Sequence, residues 1–217
     1  MKMEQMIETE RNGNDSTKLS LIKAAEKLFG VSGVEAVSLR AICAEAGQKN
    51  IGSVQYHFGS KEKLLTAIFA YREQQLEPMR LAALNKAEQS GKLDDPTTML
   101  RIIFEPYARM YIDHDNIGYI KLVSYYLTYV RPLGRVPHPA DRTEQSSPGL
   151  QQAMRGLHQS LSPMDERTFM RRMDWMGALF LNSMIQFSKR QPASRQAKLD
   201  LLEELIAMMR EALPAEI

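Results

Sequence analysis

The strongest structural signal in this chain lies in residues 21–65, which read LIKAAEKLFGVSGVEAVSLRAICAEAGQKNIGSVQYHFGSKEKLL. Apolar residues recur in this stretch at spacings of three and four, the period of an amphipathic helix, and glycines interrupt the pattern. The run Asp15-Ser16-Thr17 offers good capping residues for a first helix, which is predicted to end between Gly30 and Gly33.

Two further helices follow, and both are too short to be stable alone. One begins at the cap Ser38 and ends at Gly47, and the next ends before Gly59. Helices under about 12 residues are marginal in water, so packing against the first helix must hold them. The expected inward stripe of the third helix is Ile51, Val54 and Phe58. Polar residues are left on the outward side: Arg40, Lys49, Gly52, Ser53, Gln55 and Tyr56.

A helix followed by two short helices around a glycine-containing turn is the helix-turn-helix arrangement. In that arrangement the last helix enters the major groove of DNA and the preceding one braces against the backbone. Ser, Gln, Asn and Tyr side chains reach phosphates or base edges, and Arg can pair with guanine through two hydrogen bonds. The pattern therefore predicts binding to double-stranded DNA.

The same stretch resembles the N-terminal domain of the tetracycline-repressor (TetR) family. The matching features occur in the family's order: Ala24-Ala25 with Leu28-Phe29, Gly33, the Ser-Leu-Arg-x-Ile series from Ser38, Ala46-Gly47, Tyr56-His57-Phe58, Ser60-Lys61-Glu62 and Leu64-Leu65. Between Gly47 and Phe58 the chain has one residue more than the common family spacing. We place that residue in the turn at residues 48–51, which leaves the roles of Lys49 and Asn50 open.

The resemblance implies a set of residues that face DNA. They are Ser38, Arg40, Lys49, Asn50, Gly52, Ser53, Gln55, Tyr56 and Lys61. Tyr56 and Lys61 are expected to hold phosphates, Arg40 and Gln55 to read bases, and His57 to pack between helices. Residues 15–63 hold seven Lys and Arg against five Asp and Glu. Because this balance is only weakly basic, tight binding is expected to need a dimer.

The composition is that of an ordinary globular protein. The 217 residues are 44% hydrophobic and 25% charged, with a net charge of +2, which argues against a disordered or collagenous chain. The longest uncharged stretch, residues 175–188, is too short to cross a bilayer. The single cysteine, Cys43, cannot form an internal disulfide, and the N-terminus lacks a signal-peptide pattern, so a cytoplasmic location is expected.

Strand signals are nearly absent, so we predict an all-α fold. Residues 1–14 are expected to be a flexible arm, and residues 15–63 to form the helix-turn-helix domain, whose connecting helix extends to about residue 76. Residues 64–217 are expected to form a larger helical domain for effector binding and dimerisation. Pro78 and Pro106 are expected to kink or split helices.

By the same resemblance, the C-terminal domain is expected to bind a small effector and to form a homodimer through its last two helices. The tyrosines between residues 104 and 129 favour an apolar or aromatic effector, with no cofactor. The candidate effector-binding residues are Phe104, Tyr107, Met110, Tyr111, Tyr126 and Met173. The candidate dimer residues are Phe180, Met184, Phe187, Leu202 and Met209. Such stripes are also typical of a simple core.

Together these features predict a ligand-responsive DNA-binding regulator, and we expect a repressor that a small effector releases from a palindromic operator. A transcriptional activator or a redox sensor using Cys43 is the alternative on the same fold, although Cys43 lies in an inward stripe. A helical interaction module or an enzyme is more remote. The histidines show no metal-ligand spacing, His114 between two aspartates included, and no catalytic motif is present, so neither catalytic residues nor a metal site is assigned.

Overall fold

The computed structural model describes residues 2–130, 147–161, 163–190 and 193–213, and every regular element in these ranges is helical. The all-α prediction is confirmed. The helices are α1 (Lys2–Ser32), α2 (Leu39–Glu45), α3 (Ser53–Phe58), α4 (Lys61–Gln89), α5 (Pro96–His114), α6 (Gly118–Tyr125), a π-helical turn (Tyr126–Val130), α7 (Pro148–Ser160), α8 (Glu166–Ser188) and α9 (Arg195–Ala212). None of these helices is long and apolar enough to cross a bilayer.

The chain divides into two units, residues 1–71 and residues 72–217, and the boundary falls within α4. The core of the first unit forms on the predicted face of α1. Leu21, Ala25 and Phe29, which are four residues apart, are fully buried there. Ile42 of α2 and Val54 of α3 are fully buried as well. The short helices are therefore held by apolar contacts, as their length requires.

Helix α1 begins at Lys2, so it includes the residues expected to form a flexible arm. Asn12, Gly13 and Asn14 are weak helix formers, but no proline interrupts residues 2–32. A single glycine costs a helix about 1 kcal/mol relative to alanine and does not end it. A polar composition argues against the burial of a segment but not against its being helical. The polar composition of residues 1–14 was therefore not a sign that the helix is broken there.

The turns of the first unit follow the predicted chemistry. Ser38 is the N-cap of α2, and its hydroxyl accepts a hydrogen bond from the backbone N–H of Ala41 at 3.1 Å. Gly33, after α1, has φ +79°, and Gly47, after α2, has φ +69°, a left-handed backbone conformation in which a Cβ would be strained. These two turns fix how α2 and α3 follow α1.

In the second unit, α5 packs against α7 and α9, and α6 packs against α8. Ion pairs reinforce the contact between α5 and α9: Arg101 with Glu203, Arg195 with Asp113, and Lys198 with Asp115. The two aspartates that flank His114 are thus paired with basic residues of α9. No group of three His, Cys, Asp or Glu residues in the described part of the chain could hold a metal ion.

Pro78 and Pro106 do not split their helices, which was one of the two expected outcomes. Pro78 and Pro106 lie inside α4 and α5, and both helices continue through them. Asp95 and Asp165 are the N-caps of α5 and α8 and accept hydrogen bonds from the N–H groups of Thr98 and Thr168. The π-helical turn after α6 was not predicted, because its sequence, YLTYV, does not differ from that of an ordinary helix end.

Candidate DNA interface and effector cavity

Helix α3 has one buried and one exposed face. Val54 and Phe58 are buried, whereas Gln55 and Tyr56 are exposed and Tyr56 retains 80% of its accessible surface. The edge of the Tyr56 ring meets the ring of His57, with centroids 5.0 Å apart. The alternation follows from the spacing of the apolar residues, so the helix presents a glutamine and a tyrosine to the outside.

Two of the expected DNA-facing residues instead build the turn before α3. Ser53 is buried, and its hydroxyl donates its one proton to the carbonyl of Asn50 at 2.8 Å, so a contact of Ser53 with DNA stays a prediction. The side-chain oxygen of Asn50 accepts from the N–H of Gly52 at 2.8 Å. A Cβ on Gly52 would lie 3.1 Å from that oxygen, so the glycine leaves room for this local bond.

Ile51 does not belong to the inward stripe, because it is 52% exposed. The prediction is wrong because Ile51 lies in the turn, where helical spacing no longer applies. Its carbonyl oxygen faces inward and lies 3.5 Å from the sulfur of Cys43, which is buried. Cys43 is thus in the buried position expected for a small apolar residue, which does not favour a redox sensor.

Lys61 is also used within the fold. Its ammonium donates to the carbonyl oxygens of Val34 at 3.0 Å and Glu35 at 3.5 Å, in the segment between α1 and α2. These carbonyls take two of its three donors, so one donor is left for the phosphate contact that the family resemblance implies, and that contact stays a prediction. Lys63, which was not predicted, is exposed in the same turn of α4.

His57 is half-buried between Tyr56 and Phe58, with its ring near both. Burial, together with the charge of Lys18, lowers the pKa of His57 below its ordinary value. The ring is therefore neutral at physiological pH and adds no positive charge to the surface.

The remaining outward side chains define the candidate DNA surface: Arg40, Lys49, Gly52, Gln55, Tyr56 and Lys63. All six are exposed, as is Ser38 at the start of α2. The set joins cationic, amide and phenol groups, which are the donors that contact phosphates and base edges.

The second unit contains a cavity of about 410 Å³. Phe104, Tyr107 and Met173, three of the six candidate effector residues, line it, together with Leu127 of the π-helical turn. The other three do not. Met110 and Tyr126 are buried in the core, and the Tyr111 ring lies 4.3 Å from the ammonium of Lys198. Sequence spacing indicated which residues are buried but could not distinguish a core position from a cavity wall.

A buried polar cluster adjoins this cavity. The guanidinium of Arg80 lies 2.5 Å from a carboxylate oxygen of Glu73 and 3.5 Å from one of Glu77. Two hydroxyls of the cavity wall, on Tyr107 and Ser147, also donate to Glu73, at 3.0 and 3.1 Å. Both oxygens of Glu73 and the Nη1 of Arg80 are thus hydrogen-bonded, whereas the Nε and Nη2 of Arg80 and the Oε2 of Glu77 are buried without a hydrogen-bond partner in the described part of the chain. No sequence pattern indicated this cluster, since its members are distributed over α4, α5 and the start of α7.

The predicted dimer residues are largely in the core of the single chain. Phe180, Met184, Leu202 and Met209 are buried, and Phe187 is half-buried. The Phe180 ring packs 5.0 Å from that of Phe104. The apolar stripes of α8 and α9 thus pack within the chain, and the prediction that these residues form a subunit interface needs correction. The large apolar residues that these helices expose are Met170, Trp175, Leu179 and Met208.

Comparison with known proteins finds a matching family model and several solved structures with a similar fold. Residues 21–68 match the family model "Bacterial regulatory proteins, tetR family". The chain resembles the structure of a TetR family transcription regulator from Marinobacter aquaeolei VT8, with 19% identity, a TM-score of 0.62, and coverage of 94% of this chain and 98% of that one.

Another similar structure, from Shewanella sp. PV-4, is assigned to the tetR family and has 17% identity, a TM-score of 0.63, and coverage of 92% and 99%. HlyIIR, a hemolysin II transcriptional regulator, has 20% identity and a TM-score of 0.51, with coverage of 94% and 99%. No curated protein matched the sequence. Residues 21–68 of this chain thus match the tetR family model, and the whole chain has the fold of TetR family transcription regulators.

Proposed function

We propose that the protein is a repressor that binds an operator as a homodimer and is released by a small effector with an apolar or aromatic body. The observation that carries the proposal is the exposure of Arg40, Gln55 and Tyr56 on a helix-turn-helix domain of this family. Their exposed side chains suit contact with DNA, because they carry donors for phosphates and base edges.

Within the candidate DNA surface, Arg40 and Gln55 read bases, and Lys49, Tyr56 and Lys63 contact phosphates. An Arg or Gln side chain can form two hydrogen bonds with one base, which gives sequence information, whereas a phosphate contact fixes position only. Lys61 holds the segment between α1 and α2 and contributes to DNA binding through that position. Binding to DNA in the bacterial cell implies a cytoplasmic location.

The cavity of the second unit is the proposed effector site. Its volume of about 410 Å³ and its lining of Phe104, Leu127, Met173 and other apolar residues suit a small, mostly apolar molecule. In a dimer the two recognition helices must fit half-sites roughly 34–36 Å apart. An effector that favours another spacing lowers DNA affinity, and α4, which contributes residues to both units, is the proposed connection.

The proposed subunit interface is the outward face of α8 and α9. It exposes Trp175 and Leu179, four residues apart on α8, and Met208 on α9. Large apolar side chains exposed together are typical of an association surface. The symmetric dimer formed through them would bind a palindromic operator, because the symmetry of the site mirrors that of the protein.

Selection of bound fragments from random duplex DNA tests the proposal. The full chain should enrich one palindromic sequence, with affinity that falls steeply as salt rises. Small apolar molecules are then screened for release of the enriched duplex. If no duplex is enriched at low salt, DNA binding is refuted. If an enriched duplex is never released, the effector part of the proposal is refuted.

A further inference from the structure

We propose that the cavity takes an apolar ligand whose polar head donates hydrogen bonds, an organic ammonium ion best of all, and that it disfavours carboxylates. This inference rests on the proposed effector function, since it names the chemistry of the effector. The observation behind it is that Tyr107 and Ser147, two residues that line the cavity, both give their hydroxyl proton to one buried carboxylate, Glu73.

The number of hydroxyl protons on Tyr107 and Ser147 decides whether these residues can donate hydrogen bonds to a ligand or only accept them. A hydroxyl has one proton to donate and two lone pairs, and an ionised carboxylate can only accept. The Tyr107 phenol donates to one oxygen of Glu73 at 3.0 Å, and the Ser147 hydroxyl donates to the other at 3.1 Å. Both hydroxyls can therefore offer only lone pairs to a ligand, and a ligand must supply the proton for any hydrogen bond made there.

The buried cluster keeps this arrangement fixed. Glu73 is held as a carboxylate by the guanidinium of Arg80 at 2.5 Å and by the two hydroxyl donors. Withdrawal from water and the neighbouring Glu73 raise the pKa of Tyr107, so its phenol keeps its proton. The side chains of Arg80 and Glu73 are buried and do not line the cavity. The Nη1 of Arg80 is used on Glu73, and its Nε and Nη2, which have no hydrogen-bond partner among the described residues, belong to a residue that is not among those lining the cavity.

The ring of His158, a third residue that lines the cavity, also has its donor already used. The Nε2 of His158 lies 2.8 Å from the carbonyl oxygen of Met164, and because a carbonyl only accepts, Nε2 carries the proton. In its neutral form the ring then has an acceptor at Nδ1 and no further donor. The ring is held in place by stacking on Phe169, with centroids 4.5 Å apart.

The charges around the cavity add to this preference. The buried cluster holds two carboxylates, Glu73 and Glu77, against one cation, Arg80. The wall itself holds Glu166 and Asp174 against Arg155. Arg155 and Glu166 are both exposed, so water screens both charges. Among the described residues of the two sets carboxylates outnumber cations, which favours a cationic head over an anionic one.

Calorimetric titration of the full-length protein with four probes tests the inference directly. The probes share one naphthylmethyl body and differ in the head: an amine that is protonated at neutral pH, an alcohol, a methyl ether and a carboxylate. We expect the amine to bind at least about tenfold more tightly than the ether and the carboxylate, with the alcohol between them. A carboxylate or ether that binds as tightly as the amine overturns the inference, and so does the absence of binding by all four.

Two variants locate the effect. In Tyr107→Phe and Ser147→Ala the amine should lose most of its advantage over the ether, because the wall acceptors are removed, while the affinity of the ether stays within about twofold. Tyr111→Phe is the matched control, since Tyr111 lies outside the cavity and should retain the full preference. An unchanged preference in both folded wall variants contradicts the assignment.

The titrations on the unmodified chain do not depend on whether the variants fold. They also separate this inference from the proposed function, because DNA binding is measured on the same preparation. If the carboxylate binds best and the operator is still bound and released, only the head-group chemistry is wrong. If no duplex is bound, the proposed function fails, and the order of the four affinities still decides the inference.

Discussion

Ser53 and Lys61 illustrate how local hydrogen bonds use donors that a binding surface would otherwise offer to a partner. Ser53 donates to the carbonyl of Asn50, and Lys61 donates to those of Val34 and Glu35. Both residue types are common in DNA interfaces, and both were predicted to face DNA. At the scale of the single residue, exposure and existing partners therefore decide function as much as residue type does.

Replacing Gln55 and Arg40 by alanine should remove sequence preference. Both side chains are exposed, so the variants should fold normally, and removing each pair of hydrogen bonds to a base should cost about 1–3 kcal/mol of discrimination. Competition between the selected operator and scrambled duplexes measures this change. Gln152→Ala is the control, because Gln152 is exposed in the second unit. Unchanged discrimination in the double variant would refute the assignment to base reading.

Lys61→Ala should reduce the stability of the first unit, because it leaves the carbonyls of Val34 and Glu35 without this donor. We expect a decrease of about 1 kcal/mol in the free energy of unfolding, measured by urea denaturation followed by circular dichroism. Lys63→Ala is the matched control and should change stability by less than about 0.5 kcal/mol, since Lys63 is exposed. Equal stability of the two variants would contradict a structural role for Lys61.

At the scale of the element, helix ends are set by caps more than by the extent of an apolar pattern. Asp95 accepts from the backbone N–H of Thr98 at 2.9 Å and from its hydroxyl at 2.6 Å. The hydrogen bonds from Thr98 lower the pKa of Asp95 below its ordinary value. Because the charged form is the one that caps, α5 gains stability from Asp95 at neutral pH and loses it in acid.

Asp95→Ala should therefore destabilise the protein by about 1 kcal/mol at neutral pH. The sign of the pH dependence follows from the lowered pKa: the contribution is present above the pKa of the unfolded state and is lost as pH falls through the lower, folded pKa. The free energy of unfolding is measured with urea from about pH 7 down to about pH 3. The difference in this free energy between the Asp95→Ala variant and the unmodified protein should decrease as the pH falls. Asp95→Asn retains a cap without a titrating group and should show a smaller loss. A pH-independent difference for the alanine variant would count against this account.

At the scale of the whole molecule, the apolar stripes of α8 and α9 must serve the chain's own core before any subunit contact. Met184 and Met209 are fully buried, so a charge at either position should unfold the second unit rather than yield a monomer. The residues left for association are on the outward face. Trp175 is among them, 54% exposed, with the guanidinium of Arg171 5.5 Å from the centre of its ring.

Trp175→Glu and Leu179→Glu should each convert the dimer into a folded monomer, because each would bury an unpaired charge at the proposed interface. Light scattering gives the mass, and circular dichroism verifies the fold. Tyr129→Glu is the control, because Tyr129 is 73% exposed in the π-helical turn, outside α8 and α9. A normal dimer mass for both interface variants would place the subunit contact elsewhere.

The sequence by itself determined the helical class, the match of residues 21–68 to the tetR family model and most of the buried face of the first unit. Leu21, Phe29 and Val54 are where their spacing predicts, because an amphipathic helix encodes its inward side in its own residues. Gly47 likewise follows from a local rule, since the left-handed backbone at a helix end excludes most side chains. The same local logic failed in the turn at Ile51, where the helical period stops.

Only the tertiary structure decided which buried residues line a cavity and which fill a core. Phe104 and Met110 have similar apolar character on the same helix, yet only Phe104 lines the cavity. Glu73, Tyr107 and Ser147 meet although 74 residues separate the first from the last. Periodicity identifies the side of a helix that turns inward, but the packing partner of that side depends on helices distant in the sequence, and so does the polarity of the site.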